Sequence, residues 1–368
     1  MIYAFLALLT YPVVRLLSLL KPKSGRKAFL VFQTAKIGDM ICTTPVFREI
    51  KKAHPNAKLG VVINPVATAV LKYNPRIDEI IELPPGGLKG LFKKLAFARL
   101  LYKKGYTDAL ILLPNAANIL SAYWAAIPKR VCIYPESAGG TLKSLMRLNT
   151  ATVPHGEKTS LETYLKALGQ FSIQSRSIDK EVYSAPEAEN KATAFLAGKG
   201  PFIGIIPSTA NALKNWGEEN FVALSKRLLQ ETNATVVFAG AKEDGEISAG
   251  LTALYGKERV LNACGSFSLA EAPALIKKLS LAIGVDTGLI YMADALDVPV
   301  VDIAGPCDMK NQRPMGKNSF IVQKKELVCV PCSHTFQTPY KCRYNHRKCV
   351  TGITVDEVFA CALKALRH

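Results

Sequence analysis

Acidic side chains are scarce in this chain. Its 368 residues carry 29 Asp+Glu against 47 Lys+Arg, a formal net charge of +18. That imbalance implies a polyanionic partner: nucleic acid, an anionic membrane surface or a phosphorylated substrate. Charge of either sign is also limited, 21% of residues against 49% apolar, which excludes global disorder. The 25 Gly and 21 Pro follow no period, so collagen-like and coiled-coil classes fail. Neither G-x-G-x-x-G nor G-x-x-x-x-G-K-S/T occurs, so the dinucleotide fingerprint and the P-loop are both missing. A nicotinamide-dependent enzyme therefore lacks its signature.

The shortage of acid is local. Residues 1–27 hold Arg15, Lys21, Lys23, Arg26 and Lys27 with no acid. Residues 88–104 hold Lys89, Lys93, Lys94, Arg99, Lys103 and Lys104, again with none. Residues 324–349 hold six cations against Glu326 alone. The rest of the chain is nearly neutral, as in an ordinary soluble enzyme. Nucleic-acid binding would need aromatic residues interleaved with the base. These segments pair their cations with aliphatic residues instead, which favours a membrane surface and leaves nucleic acid out as a partner.

The first twenty residues, MIYAFLALLTYPVVRLLSLL, are apolar and end at Lys21-Pro22-Lys23. Their length is borderline for a membrane span of ~20 residues, and Arg15 lies inside the run. On one helix, Ala7, Tyr11, Arg15 and Ser18 would share a face, a pattern that suits a helix lying in the membrane interface. A spanning anchor, a signal peptide and a helix packed on the protein's own body are the other readings. No basic residue precedes the run and no small-x-small cleavage site follows it, against the signal peptide. Pro12 predicts a kink.

From Ala28 onward, short apolar runs alternate with helical stretches. Strands are expected over 28–35, 58–65, 78–84, 108–114 and 130–135, with helices at 39–53 and 88–104 between them. The rhythm restarts at 201–207 and continues at 234–240, 259–265, 281–286 and 299–306. Strand–helix alternation predicts doubly wound parallel sheets in an α/β chain. The polar stretch 175–200 separates the halves. The expected layout is a membrane-associating segment 1–27, a Rossmann-like acceptor domain 28–185, a Rossmann-like donor domain 186–353 with a basic Cys-rich tail 324–350, and a helix over 354–368.

In such sheets, ligands sit at the carboxyl ends of strands. The first such loop runs Gln33-Thr34-Ala35-Lys36-Ile37-Gly38-Asp39 and enters Met40-Ile41-Cys42-Thr43-Thr44-Pro45. Gly38 would permit a sharp turn, and Asp39 would be either an N-cap or a general base. Ser208, Thr209 and Lys214 follow the strand at 201–207, as two hydroxyls and a cation for a phosphate or as a solvated loop. Asp286-Thr287-Gly288 marks a strand end and a helix start, where backbone N–H groups could cradle a diphosphate. Gly305-Pro306-Cys307-Asp308 is expected to abut the same cavity.

The ordered motifs K-I-G-D-x4-T-P, S-T-x4-K-x-W, A-G-A-K-E-D, V-D-T-G-L and G-P-x-D resemble glycosyltransferase family 9, the ADP-heptose:lipopolysaccharide heptosyltransferases. The resemblance implies GT-B architecture, two Rossmann-like domains with the active site in the cleft between them. It also implies an inverting, metal-independent transfer of heptose from an ADP-sugar to a lipopolysaccharide inner-core or related lipid-linked acceptor. Cofactors would be absent, ADP-heptose being a co-substrate. Asp39 would be the catalytic base, and Lys214 would stabilise the leaving diphosphate. Glu243 would lie near the donor's nucleoside or sugar, Asp286, Thr287 and Gly288 would form the phosphate-binding turn, and Ser208 and Thr209 would join the donor site. Lys36, Gly38, Thr43 and Thr44 would line the acceptor loop. Three positions depart from the family's usual residues: Tyr291 stands where His is frequent, Cys307 where Thr is common, and Gln33 where Arg often begins the loop.

Nine cysteines complete the picture. Cys42, Cys132, Cys264 and Cys361 read as small buried apolar residues. Cys329, Cys332, Cys342 and Cys349 read as reduced structural thiols, a disulfide or redox pair, or a zinc site whose second pair is too widely spaced. A peripheral protein on the cytoplasmic leaflet is expected, docked by the first segment and by 88–104, which carries Leu88, Leu91, Phe92, Leu95 and Leu100 among its cations. A non-catalytic nucleotide-sugar or nucleic-acid binder is the alternative.

Overall fold

The computed structural model describes residues 2–20, 26–156, 158–175, 177–198 and 200–367. The chain divides into two compact units, Met1–Asp179 and Lys180–His368. The basic flank Lys21-Pro22-Lys23 lies outside the described residues.

The first unit contains strands β1 (Ala28–Gln33), β2 (Lys58–Ile63), β3 (Glu79–Glu82), β4 (Asp108–Ile111), β5 (Lys129–Tyr134) and β6 (Ala151–Pro154). They form one sheet in the order β3-β2-β1-β4-β5-β6, every pairing parallel. The second unit contains β7 (Phe202–Ile206), β8 (Thr235–Phe238), β9 (Val260–Asn262), β10 (Leu281–Val285), β11 (Val300–Ile303) and β12 (Ser319–Val322). Their order, β12-β11-β10-β7-β8-β9, is the same topology read from the other edge, and all pairs are again parallel. Central strands such as AFLVFQ and LAIGV are buried along their whole length, as sheets covered by helices on both faces require. The edge strands β6 and β12 fall outside the expected runs. They are four residues each and half-buried, so no continuous apolar run announces them.

Two expected helices change shape. The stretch 39–53 forms two helices, Ile37–Ile41 and Thr44–Ala53, with Pro45 in the first turn of the second. The stretch 88–104 forms one helix, Leu91–Lys103, opened by Gly90 at φ 77°. At the other end of the chain, Thr354 and Glu357 close a reciprocal capping box on the helix Val355–Ala365, which packs on β11 and β12.

The N-terminal run is not one helix. It forms Ile2–Leu9 and Tyr11–Leu19, bent by 52°, so no single helix among the described residues is long and apolar enough to cross a membrane. The break falls at Thr10, whose hydroxyl donates to the Leu6 and Ala7 carbonyls, with Pro12 in the first turn that follows. The bend divides the single face expected for Ala7, Tyr11, Arg15 and Ser18. Arg15 donates to the Tyr11 hydroxyl (3.1 Å), whereas Ala7 is fully buried in the first unit's core. Tyr123 donates to the Ala7 carbonyl (2.8 Å) and Trp124 to the Thr10 hydroxyl (3.1 Å). The pair therefore packs on the protein's own body while Ile2, Phe5, Leu8, Leu9, Leu16 and Leu19 remain exposed.

Candidate active site

In the second unit, β7 delivers a loop in which Asn211 caps a single turn ending at Lys214. The Lys214 Nζ lies 2.5 Å from the Asp286 Oδ2, at the end of β10. The same Oδ2 accepts from the Cys307 Sγ (3.1 Å), and Oδ1 accepts from the Tyr291 hydroxyl (2.9 Å). Three side chains from distant parts of the unit's sequence or its own following helix thus meet on one buried carboxylate. Burial would raise the Asp286 carboxyl, but Lys214, Cys307 and Tyr291 together hold it below its ordinary value. Burial likewise opposes the Lys214 charge, and the Asp286 carboxylate outweighs it, so the ammonium is held above the usual lysine value. Burial first, then the Asp286 charge, pushes the Cys307 thiol well up, so it stays a protonated donor.

Asp286 does not cap the following helix. Thr287 is the N-cap of Gly288–Ala295 and makes no side-chain cap hydrogen bond. The positive end of this helix therefore opens beside Lys214's partner without a cap from Thr287.

Ser208 donates to Asp244 Oδ2 (2.8 Å), which also accepts from the Ala241 backbone N–H (2.8 Å). The Thr209 N–H donates to the Asn215 side chain (3.2 Å). Asp244 is the acidic residue that organises this loop, whereas Glu243 beside it is exposed. Two adjacent acids in K-E-D give no periodic cue to which one turns inward. The Cys-rich tail straps the same region. Pro306 O accepts from the Cys332 and Ser333 N–H groups, Pro339 O accepts from Asn211, and Arg347 donates to the Asn215 carbonyl. Cys329, Cys332, Cys342 and Cys349 are free thiols rather than a disulfide pair. Among the described residues, no three His, Cys, Asp or Glu groups are arranged to hold a metal ion. Cys42, Cys132 and Cys264 are buried, but Cys361 is only half-buried.

In the first unit, Asp39 sits at the third position of Ile37–Ile41, half-buried; the N-cap is Lys36, so the capping role expected for Asp39 does not apply. Burial and then the Asp39 charge raise the nearby Tyr164 phenol above its ordinary value. Gly38 lies within this helix and has no left-handed backbone, so a tight turn is not its role. Thr43 and Thr44 are buried and serve the helix junction rather than an open loop. The Thr43 hydroxyl donates to Asp39 O (2.8 Å) and accepts from Gln33 (3.1 Å), and the Thr44 hydroxyl donates to Ile41 O (2.7 Å).

On the helix Leu91–Lys103, Lys93, Arg99 and Lys103 are exposed with Phe92, Leu95 and Leu100, as is Lys89 just before it. Lys94 departs from the expected solvated face. It is buried, donates to Leu88 O (2.7 Å) and Gly90 O (3.0 Å), and covers the Tyr3 ring at 4.7 Å.

Comparison with known proteins identifies the family and the fold. The sequence profile of glycosyltransferase family 9 (heptosyltransferase) matches residues 94–342. Lipopolysaccharide heptosyltransferase 2 of Salmonella typhimurium is 24% identical over 307 residues, 80% of this chain and 87% of that one. The glycosyl transferase family 9 structure from Veillonella parvula superposes with a TM-score of 0.76 at 21% identity, covering 93% of this chain and 97% of that one. The E. coli ADP-heptose lps heptosyltransferase II superposes with a TM-score of 0.69 at 18% identity, covering 93% and 98%. The fold is the GT-B architecture of two Rossmann-like units.

Proposed function

The chain belongs to glycosyltransferase family 9, and from that premise we propose that this glycosyltransferase moves a heptose from ADP-heptose to a lipopolysaccharide inner-core sugar or a related lipid-linked acceptor. The observation that carries this reading is the start of Gly288–Ala295, without a side-chain cap from Thr287, next to the ion pair of Lys214 with the buried Asp286. A helix start and a lysine together supply the fixed positive potential that a departing diphosphate needs. In the proposed reaction, the acceptor oxygen attacks the anomeric carbon and gives its proton to Asp39. The bond from that carbon to the diphosphate breaks, ADP leaves, and the configuration inverts. Lys214 and the N–H groups after Thr287 take up the charge, and no metal is required. Transfer should therefore survive full chelation of divalent cations.

The donor is tested by thermal stabilisation with a panel of nucleotide sugars. A donor at 100 times its dissociation constant adds ~2.7 kcal/mol. ADP-heptose should stabilise most; larger stabilisation by a UDP- or GDP-sugar contradicts the assignment.

A second reading, docking on the anionic cytoplasmic leaflet, is favoured by the exposed apolar side chains of the N-terminal helix pair together with Phe92 and the exposed cations of its helix. Each Lys or Arg near such a surface contributes ~1 kcal/mol. Deleting the helix pair would also uncover Ala7 and Val14, which belong to the core, so point changes are the cleaner test. Phe5→Ser, Leu8→Ser and Phe92→Ser combined should release the protein from anionic vesicles. Unchanged cosedimentation refutes the reading.

A further inference from the structure

Two neutral side chains of the second unit converge on one buried carboxylate. Tyr291 donates to Asp286 Oδ1 (2.9 Å), and Cys307 donates to Asp286 Oδ2 (3.1 Å). Oδ2 also takes the Lys214 ammonium at 2.5 Å. All three partners of Asp286 lie within the second unit, on three different elements: the Lys214 turn, the helix Gly288–Ala295 and the loop after β11.

We propose that Tyr291 and Cys307 are positioning residues that act through Asp286 to set how firmly Lys214 holds the donor diphosphate. The inference rests on the reading of Lys214 given above. A buried carboxylate facing a single ammonium would bind it closely, because little solvent screens the pair. An ammonium has three N–H donors, and every one drawn to the carboxylate is lost to a ligand. Two neutral donors occupy other lone pairs of Asp286, disperse its charge and fix its rotamer. They do this without adding net charge to the cluster. The carboxylate then anchors Lys214 without monopolising it, and repels an incoming diphosphate less.

This requirement is for a donor atom, not for ring or side-chain volume, and that separates positioning from packing. His, Tyr, Thr and Cys can each present such a donor as an N–H, O–H or S–H. Asp302 sharpens the point. It lies on β11 opposite Gly284 of β10, fully buried, with neither carboxylate oxygen hydrogen-bonded. Lacking donors, its carboxyl is raised well above the ordinary value, by burial and then by the Asp286 charge. Asp286, with three donors, stays ionised.

The experiment compares donor-deleting with donor-retaining variants in the full-length enzyme: Tyr291→Phe and Cys307→Val against Tyr291→His and Cys307→Thr. The readouts are ADP affinity by titration calorimetry, adenosine affinity as the phosphate-free control, and the split between KM for ADP-heptose and kcat. The donor-deleting variants should each weaken ADP binding and raise KM about fivefold to tenfold, the size of one hydrogen bond of about 1 kcal/mol. Adenosine affinity should be unchanged, and His and Thr should restore ADP affinity to within about twofold. The proposal is overturned if Phe and Val bind ADP as the unaltered enzyme does, or if adenosine affinity falls in parallel. Should Tyr291→Phe fail to fold, the Cys307→Val and Cys307→Thr pair makes the same comparison alone. An unaltered enzyme that binds no ADP brings down the site reading itself, a result distinct from the other two.

Discussion

The two units build the same six-stranded parallel sheet and treat the end of its fourth strand in sequence differently. After β4, Asn115 turns its side chain onto the Asn118 N–H and caps the helix Ala116–Trp124. After β10, Asp286 turns away to Lys214, and Thr287 opens its helix with no side-chain cap bond. A helix start closed by its own sequence is a structural joint. One left without such a cap beside a lysine is a place for an anion. Asp286, Asp302 and the Lys180–Asp294 pair are buried in the second unit, as Arg48 and Glu49 are in the first, whereas Asp39 is half-buried on a short helix.

The largest effect that would test this contrast is at Lys214. Lys214→Met should lower kcat by about 10²–10³, as loss of a charge-stabilising group does. It should also destabilise the protein by ~3–5 kcal/mol, because Asp286 is left buried without its cation. Turnover and denaturant unfolding check both.

An intermediate effect concerns pH, and the two units should respond in opposite directions. In the first, burial acts to raise Glu79, but Lys104, Tyr106 and Lys58 bring it down to about 2 from 4.5. Its contribution is present above 4.5 and lost as pH falls toward 2, and Glu79→Gln should remove that acid loss. In the second, Asp302 is raised, so its contribution is full below the ordinary value of 3.8 and is lost as pH rises from there through its folded value. Asp302→Asn should therefore gain stability over the unaltered protein as pH rises above 3.8. Unfolding midpoints against pH decide; a flat difference for Asp302→Asn contradicts the assignment.

The smallest effect is at the capped helix. Asn115→Ala should cost ~1 kcal/mol of stability and leave ADP affinity untouched. A loss of ADP binding there would break the distinction between the two helix starts.

Much of this was legible in the sequence. Ten apolar runs mark ten of the twelve strands, most of them buried because parallel sheets are covered on both faces, and the motif loops fall at their carboxyl ends. The short edge strands β6 and β12 were not legible, since half-burial needs no apolar run. Pairing was the main loss. Lys214 and Asp286 lie 72 residues apart, and only the β7–β10 pairing brings their loops together. Inward and outward acids could not be told apart at Glu243 and Asp244, nor could a buried Lys94 be told from its exposed neighbours. In each case the answer depends on a backbone carbonyl or hydroxyl supplied by another segment, such as Ser208 for Asp244 and Leu88 for Lys94.

The central proposal is that Asp39 serves as the base and Lys214 grips the diphosphate. It is tested most directly by titrating ADP into Asp39→Asn and Lys214→Met and measuring transfer by both. The account predicts that Asp39→Asn binds ADP normally while kcat falls by about 10²–10⁴, and that Lys214→Met loses ADP affinity as well. Near-normal turnover by Asp39→Asn, or unchanged ADP affinity in Lys214→Met, would contradict it.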